Sequence, residues 1–160
     1  MSIIDINHLN VSYRIGYKTI FVLKNINLSV NSGDYLCILG NNGSGKSTLI
    51  KTILGLNPIS SGEIKINCPK SDISYLPQAS GLSSNFPATV EEVVLSGTQS
   101  THNKFKLPFY GKENKIQAEI AMEKAKIITF SKRRFGELSG GQKQRVLFAR
   151  SIVKNPKILI

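Results

Sequence analysis

Gly40-Asn41-Asn42-Gly43-Ser44-Gly45-Lys46-Ser47-Thr48 is the stretch that decides the fold. It has the form G-x-x-x-x-G-K-[ST], the pattern of a loop that wraps phosphate. Residues 35–39 before it read as a short buried strand. Residues 49–54 after it repeat apolar side chains at helical spacing and stop at Gly55. In a strand, glycine loop and helix of this kind, successive backbone N–H groups turn toward one anion. The positive end of the helix adds to that field. On this reading Lys46 reaches the β- and γ-phosphates of a nucleotide and the Ser47 hydroxyl holds Mg²⁺.

Upstream, residues 3–13 read as a first strand. In residues 21–30, Ile26, Leu28 and Val30 alternate with Asn27 and Ser29, the period of a half-buried strand. Asn31-Ser32-Gly33-Asp34 is a turn. Downstream, Asn57-Pro58 breaks the chain and Ser60-Ser61-Gly62 makes a second turn. Glu63-Ile64-Lys65-Ile66-Asn67 alternates as in an antiparallel sheet with one wet face. Ile73-Ser74-Tyr75-Leu76 is a short strand stopped by Pro77. From Pro87 the pattern turns helical, and Thr89-Val90-Glu91-Glu92 has the form of a capping box. Residues 97–112 read as a basic loop and residues 113–128 as a helix with Ile116, Ile120, Ala121 and Ile127 on one face. Residues 129–137 form a basic link, residues 139–154 a helix, and Lys157-Ile158-Leu159-Ile160 the start of a strand.

A chain of 160 residues that is 41% hydrophobic can bury one core. No apolar run is long enough to cross a bilayer, and the N-terminus lacks a secretory pattern. Cys37 and Cys68 have no metal-ligand spacing and suit a reducing compartment. The formal net charge is +11, and nine of the 21 Lys and Arg residues lie between Lys104 and Arg134. Nucleic acid, an anionic membrane surface and a solvated basic face all fit that charge. No RNA-recognition aromatics, zinc-finger spacing or helix-turn-helix pattern accompanies it.

Leu138-Ser139-Gly140-Gly141-Gln142 is the second chemical feature: two glycines and a serine at a helix start, a second nest for an anion. It follows the phosphate loop by about ninety residues and leads into Gln144-Arg145-Val146-x-x-Ala149-Arg150. With these motifs in this order, the chain resembles the ATP-binding subunits of ABC transporters over essentially its whole length. The resemblance implies that Tyr13 stacks on adenine and that residues 40–48 hold the phosphates of ATP. It implies that Gln78, in Tyr75-Leu76-Pro77-Gln78, contacts Mg²⁺ and the attacking water and senses a membrane permease. Ser139, Gly140, Gly141 and Gln142 would contact the ATP held by a second such subunit, so that two subunits sandwich ATP head to tail.

The fold implied is α/β: a RecA-like P-loop core, an antiparallel β subdomain and an inserted α-helical subdomain, incomplete at the C-terminus. Residues 1–85 would hold the core and β subdomain, 86–137 the helical subdomain, and 138–160 the signature helix and the start of the next core strand. The partners implied are a second nucleotide-binding subunit, an integral permease and, indirectly, a substrate-binding protein, at the cytoplasmic face of the membrane. Nucleic acid is not expected. A soluble ABC-type ATPase acting on nucleic acid or ribosomes is the alternative. Against it stand the gap of about sixty residues without heptads between Gln78 and Ser139, and the single domain. Phe86-Pro87-Ala88-Thr89-Val90-Glu91-Glu92-Val93-Val94-Leu95-Ser96-Gly97 and the Gln78 segment look like subunits of zinc and manganese importers. Importers of iron–siderophore and cobalamin are close in pattern.

The sequence departs from the family at one place. In the family the strand beginning here at Lys157 continues into an Asp that binds Mg²⁺ and a Glu that activates water, then a D-loop and a switch histidine. None lies within residues 1–160. His8 and His102 come too early, and Asp72 and Glu137 do not follow an apolar strand. The expectation is a piece of a longer protein or a truncated product that binds nucleotide weakly and hydrolyses it near background. Its core sheet would lack the strand beside residues 35–39.

Overall fold

A computed structural model describes residues 1–77, 86–99 and 110–160. The chain forms two compact units, Met1–Pro69 and Lys70–Ile160.

In the first unit, β1 (Ser2–Ile15), β2 (Lys18–Asn31) and β3 (Ser61–Ile66) form an antiparallel sheet in the order β2-β1-β3. Ile6 faces Leu28 on one side and Ile64 on the other. Alternation alone would send Ile4 and Ile6 to one face and Leu9 and Val11 to the opposite one. All four are nonetheless buried. The register shifts between Ile6 and Leu9, where His8 takes a left-handed φ of 48°. That bulge returns the apolar residues to the core. The bulge is held by polar side chains: the His8 N–H donates to Asn27 Oδ1 at 2.8 Å, and the Asn25 N–H donates to Asn10 Oδ1 at 2.9 Å. Gly62 of β3 lies against it so closely that a Cβ there would sit 2.3 Å from the His8 carbonyl oxygen. Helix α1 (Lys46–Ile53) follows the glycine loop and buries Leu49, Thr52 and Ile53.

Residues 35–39 overturn one expectation. They are not a strand, and Tyr35, Leu36, Cys37 and Leu39 are exposed. A strand exists through its pairing, and no described strand lies hydrogen-bonded to this segment.

In the second unit, β4 (Ile73–Ser74) and β5 (Ile158–Leu159) pair in parallel, Ile73 facing Ile158. Bonds from the Leu76 N–H to the Ile160 carbonyl (2.7 Å) and from the Ile160 N–H to the Ser74 carbonyl (2.9 Å) extend the ladder. Helices α2 (Val90–Ser96), α3 (Lys112–Lys124) and α4 (Gly140–Ile152) lie on the connection between these strands. They share a core containing Val90, Val94, Ala121, Ile127, Phe135, Val146 and Leu147. The capping box expected at α2 is present. Thr89 Oγ1 accepts from the Glu92 N–H at 3.3 Å, and the Glu92 carboxylate accepts from the Thr89 N–H at 2.7 Å. That backbone bond, then the Thr89 hydroxyl, holds the Glu92 carboxyl below its ordinary pKa. Lys132 pairs with Glu91, and the bond raises the lysine pKa. On α3 the apolar face differs from the expected one. Ala118, Ala121 and Met122 are buried, whereas Ile116 and Ile120 are about half exposed. The i, i+3, i+4 set 118, 121, 122 and 125 points at the other helices, and small residues there allow close approach. At Gly97 the backbone meets α4: a Cβ would lie 2.3 Å from the Arg150 carbonyl oxygen.

Candidate functional site

The glycine loop leaves β2 through a turn fastened by Asp34, whose Oδ2 accepts the Asn31 N–H at 2.7 Å. Gly43 and Gly45 then adopt φ of 84° and 94°, a region that costs residues with a Cβ about 1–2 kcal/mol. Gly45 is also short of room, since a Cβ would come 2.9 Å from Leu23 Cδ2 and 3.2 Å from the Val22 carbonyl oxygen on β2. The left-handed Gly45 turns the chain straight into α1. No side chain caps that helix, and its first turn holds no acidic residue. The N–H groups of its first turn therefore have no intrahelical acceptor, and the positive end of the helix is uncompensated. The Lys46 ammonium folds back over the loop and donates to the carbonyls of Gly40 at 2.7 Å and Asn41 at 2.8 Å. The Ser44 N–H closes a turn on the Asn41 carbonyl at 3.2 Å. Ser47 is exposed, Thr48 is half-buried and Asn42 is exposed. Residues 40–48 are thus one cradle carrying a cation, bare N–H groups and a free-standing hydroxyl. It fits a polyphosphate. It offers a metal ion one ligand, Ser47, and no group of three or more His, Cys, Asp or Glu side chains stands ready to hold a metal among the described residues.

Tyr13 lies in the same unit, on β1 opposite Ile20, with 38% of its surface exposed. Its hydroxyl accepts a hydrogen bond from Asn57 Nδ2 at 3.0 Å. In the sequence Asn57 stands out only as half of a chain break, because a bond across 44 residues leaves no local pattern.

In the second unit, Ser139 caps α4. Its Oγ accepts from the Gln142 N–H at 3.3 Å, and Gln142 Oε1 accepts from the Ser139 N–H at 2.9 Å. Gln142 is therefore committed to the cap. Gly140 and Gly141 do not have the positive φ of a nest and form the bare first turn of the helix. A Cβ at either would meet nothing within 4 Å. What this site offers an anion is a helix start with two exposed glycines and a serine hydroxyl that still has a proton to give. Gln78 lies outside the described residues.

A glycine loop entering an uncapped helix, beside an antiparallel sheet, defines a P-loop nucleotide-binding domain. The chain belongs to the ABC transporter family, whose model matches residues 23–160. It is 40% identical over 149 residues to the manganese transport system ATP-binding protein of Listeria innocua, covering 90% of this chain and 61% of that protein. To the zinc uptake system ATP-binding protein of the same species it is 38% identical over 166 residues, with 99% and 62% covered. The chain thus spans about six tenths of the length of these curated relatives. Among solved structures, an inward-facing putative metal-chelate type ABC transporter matches with a TM-score of 0.81 and 30% identity, over 97% of this chain and 58% of that one. A dimeric ATP-binding cassette in a post-hydrolysis state, bound to ADP and Pi, matches with a TM-score of 0.77 and 29% identity, covering 98% and 72%.

Proposed function

We propose that this chain supplies the ATP-binding part of an importer for a divalent metal ion such as zinc or manganese. The cradle of residues 40–48, with Lys46 held over it, is the observation that carries the reading. The names of the manganese and zinc relatives support the substrate class. In this reading Lys46 releases the Gly40 and Asn41 carbonyls and donates to the β- and γ-phosphates. The N–H groups of the first turn of α1 hold the phosphate oxygens, and Tyr13 stacks on adenine. Ser47, with Gln78, would hold Mg²⁺, which when bound spreads the negative charge of the terminal phosphates. Ser139, Gly140 and Gly141 grip the γ-phosphate of ATP seated on a second copy, so that ATP joins two subunits head to tail. Residues 86–137 form the helical subdomain that meets an integral permease at the cytoplasmic face of the membrane. ATP binding and hydrolysis would then switch the permease, which receives its cargo from a substrate-binding protein.

Titration of the purified chain with a fluorescent ATP analogue and Mg²⁺ tests the binding step. Lys46→Ala removes a charged donor, and such bonds contribute about 1.5–3 kcal/mol, so the affinity is expected to fall roughly tenfold to a hundredfold. Equal affinities would count against the cradle. Loss of zinc or manganese uptake when Lys46→Ala is introduced into the chromosomal gene tests the substrate class, and unchanged uptake of both ions would refute it.

A further inference from the structure

We infer that Asn57 is a positioning residue for the nucleotide base, acting through the hydroxyl of Tyr13. This rests on the proposed role of Tyr13 as the surface on which the base stacks. Tyr13 stands near the turn end of the β1–β2 hairpin, where its neighbours Ile15 and Tyr17 are exposed. A ring there needs something to fix its tip, and the bond from Asn57 Nδ2 does so.

Asn57 is itself held from both sides. On the N-terminal side, Gly55 at φ 72° ends α1 and the Leu56 N–H returns to the Lys51 carbonyl at 2.8 Å, which fixes the direction in which the chain leaves the helix. On the C-terminal side, the Ser60 N–H donates to the Asn10 carbonyl at 2.9 Å. Ser60 Oγ accepts the Ser12 N–H at 2.9 Å and lies 2.8 Å from Ser12 Oγ. The segment carrying Asn57 is thereby riveted to β1 next to Tyr13. The other end of α1 is the phosphate loop. At 1.5 Å per residue the helix spans about 12 Å. One short rigid element therefore links the phosphate cradle to the tyrosine ring and sets the spacing between them. A ligand with both a triphosphate and a base benefits from that spacing, and a bare triphosphate does not.

The test compares ATP with inorganic tripolyphosphate, by titration calorimetry on the purified chain, for the parent, Asn57→Ala, Tyr13→Phe and the double variant. Asn57→Ala and Tyr13→Phe are each expected to weaken ATP binding about threefold to tenfold, the worth of one hydrogen bond. The double variant is expected to be no weaker than either, because both changes remove the same bond. Tripolyphosphate affinity stays at the parent value throughout. A parent that binds neither ligand overturns the nucleotide reading and this inference with it. A parent that binds ATP while Asn57→Ala or Tyr13→Phe binds it equally well overturns this inference alone, as do additive losses. If Asn57→Ala also loses tripolyphosphate, its role is structural and the inference falls, unless Tyr13→Phe shows the ATP-specific loss with Asn57 in place.

Discussion

Replacing Gly45 by alanine puts the phosphate cradle under a strain that can be worked out in advance. Alanine at φ 94° costs about 1–2 kcal/mol. The new Cβ would also meet Leu23 Cδ2 at 2.9 Å and the Val22 carbonyl oxygen at 3.2 Å. Leu23 is buried in the sheet core, so its shift adds an overpacking cost of about 1 kcal/mol or more. The chain can escape by turning residue 45 to a negative φ, but that rotation redirects the entry into α1 and the N–H groups of its first turn. Strain and lost binding are the two outcomes, in varying proportion. Gly45→Ala is therefore expected to lower the stability of the chain by about 2–3 kcal/mol or, where it relaxes, to weaken tripolyphosphate binding at least tenfold. Two controls separate the causes. Gly43→Ala has a similar φ of 84° with nothing within 4 Å of the Cβ, so the difference between the two variants isolates the contact with β2. Gly33→Ala, at φ 89° in the turn after β2, is expected to destabilise by a similar backbone term while leaving binding unchanged. Chemical denaturation and titration with tripolyphosphate read both quantities. A Gly45→Ala chain that melts and binds like the parent would refute the account of the cradle given above.

Ser139 caps α4 and has one proposed duty besides, touching phosphate, and the two can be split. Ser139→Ala is expected to destabilise by about 0.5–2 kcal/mol through the lost cap. Ser139→Asp restores the cap and keeps the denaturation midpoint near the parent value, yet abolishes ATP-dependent dimerisation in size-exclusion chromatography by setting a carboxylate against phosphate. Dimerisation that survives in the aspartate variant would sink the phosphate role. Acid titration addresses α2. Because the Thr89 N–H and hydroxyl hold the folded pKa of Glu92 below 4.5, the stabilisation is fully present above that value and is lost as pH falls through the depressed one. Glu92→Gln keeps an acceptor but cannot titrate. Its stability relative to the parent is expected to rise between pH 5 and pH 3 in thermal melts, and a constant difference would refute the assignment.

The sequence made some of this legible because the chemistry is local. Thr89 and Glu92, or Ser139 and Gln142, are three residues apart, so their reciprocal bonds follow from spacing alone. The glycine loop announces itself because only glycine tolerates the φ of residues 43 and 45. Residues 35–39 misled because an apolar run states what a segment would do beside a partner and says nothing about whether the partner is there. Ile116 and Ile120 misled through size. The small residues Ala118 and Ala121 occupy the packed face of α3, and the larger isoleucines stand half outside it. The Asn57–Tyr13 bond was beyond reach, since it depends on how a turn after a helix is pinned to a strand.

The position of β1 in the middle of its sheet imposes an order of assembly. Its partner β2 follows after a two-residue connection, so the β1–β2 hairpin can form within microseconds of its synthesis. Its other partner, β3, is first met at the pair Asn10–Ser61, and that pairing closes a far larger ring of chain, at a greater entropic cost. The glycine loop and α1 lie inside this ring. Helix α1 is itself local, but its enclosure between β2 and β3 is complete only once that ring closes. A polyphosphate present during refolding would therefore change how fast the folded sheet comes apart more than how fast its first hairpin appears.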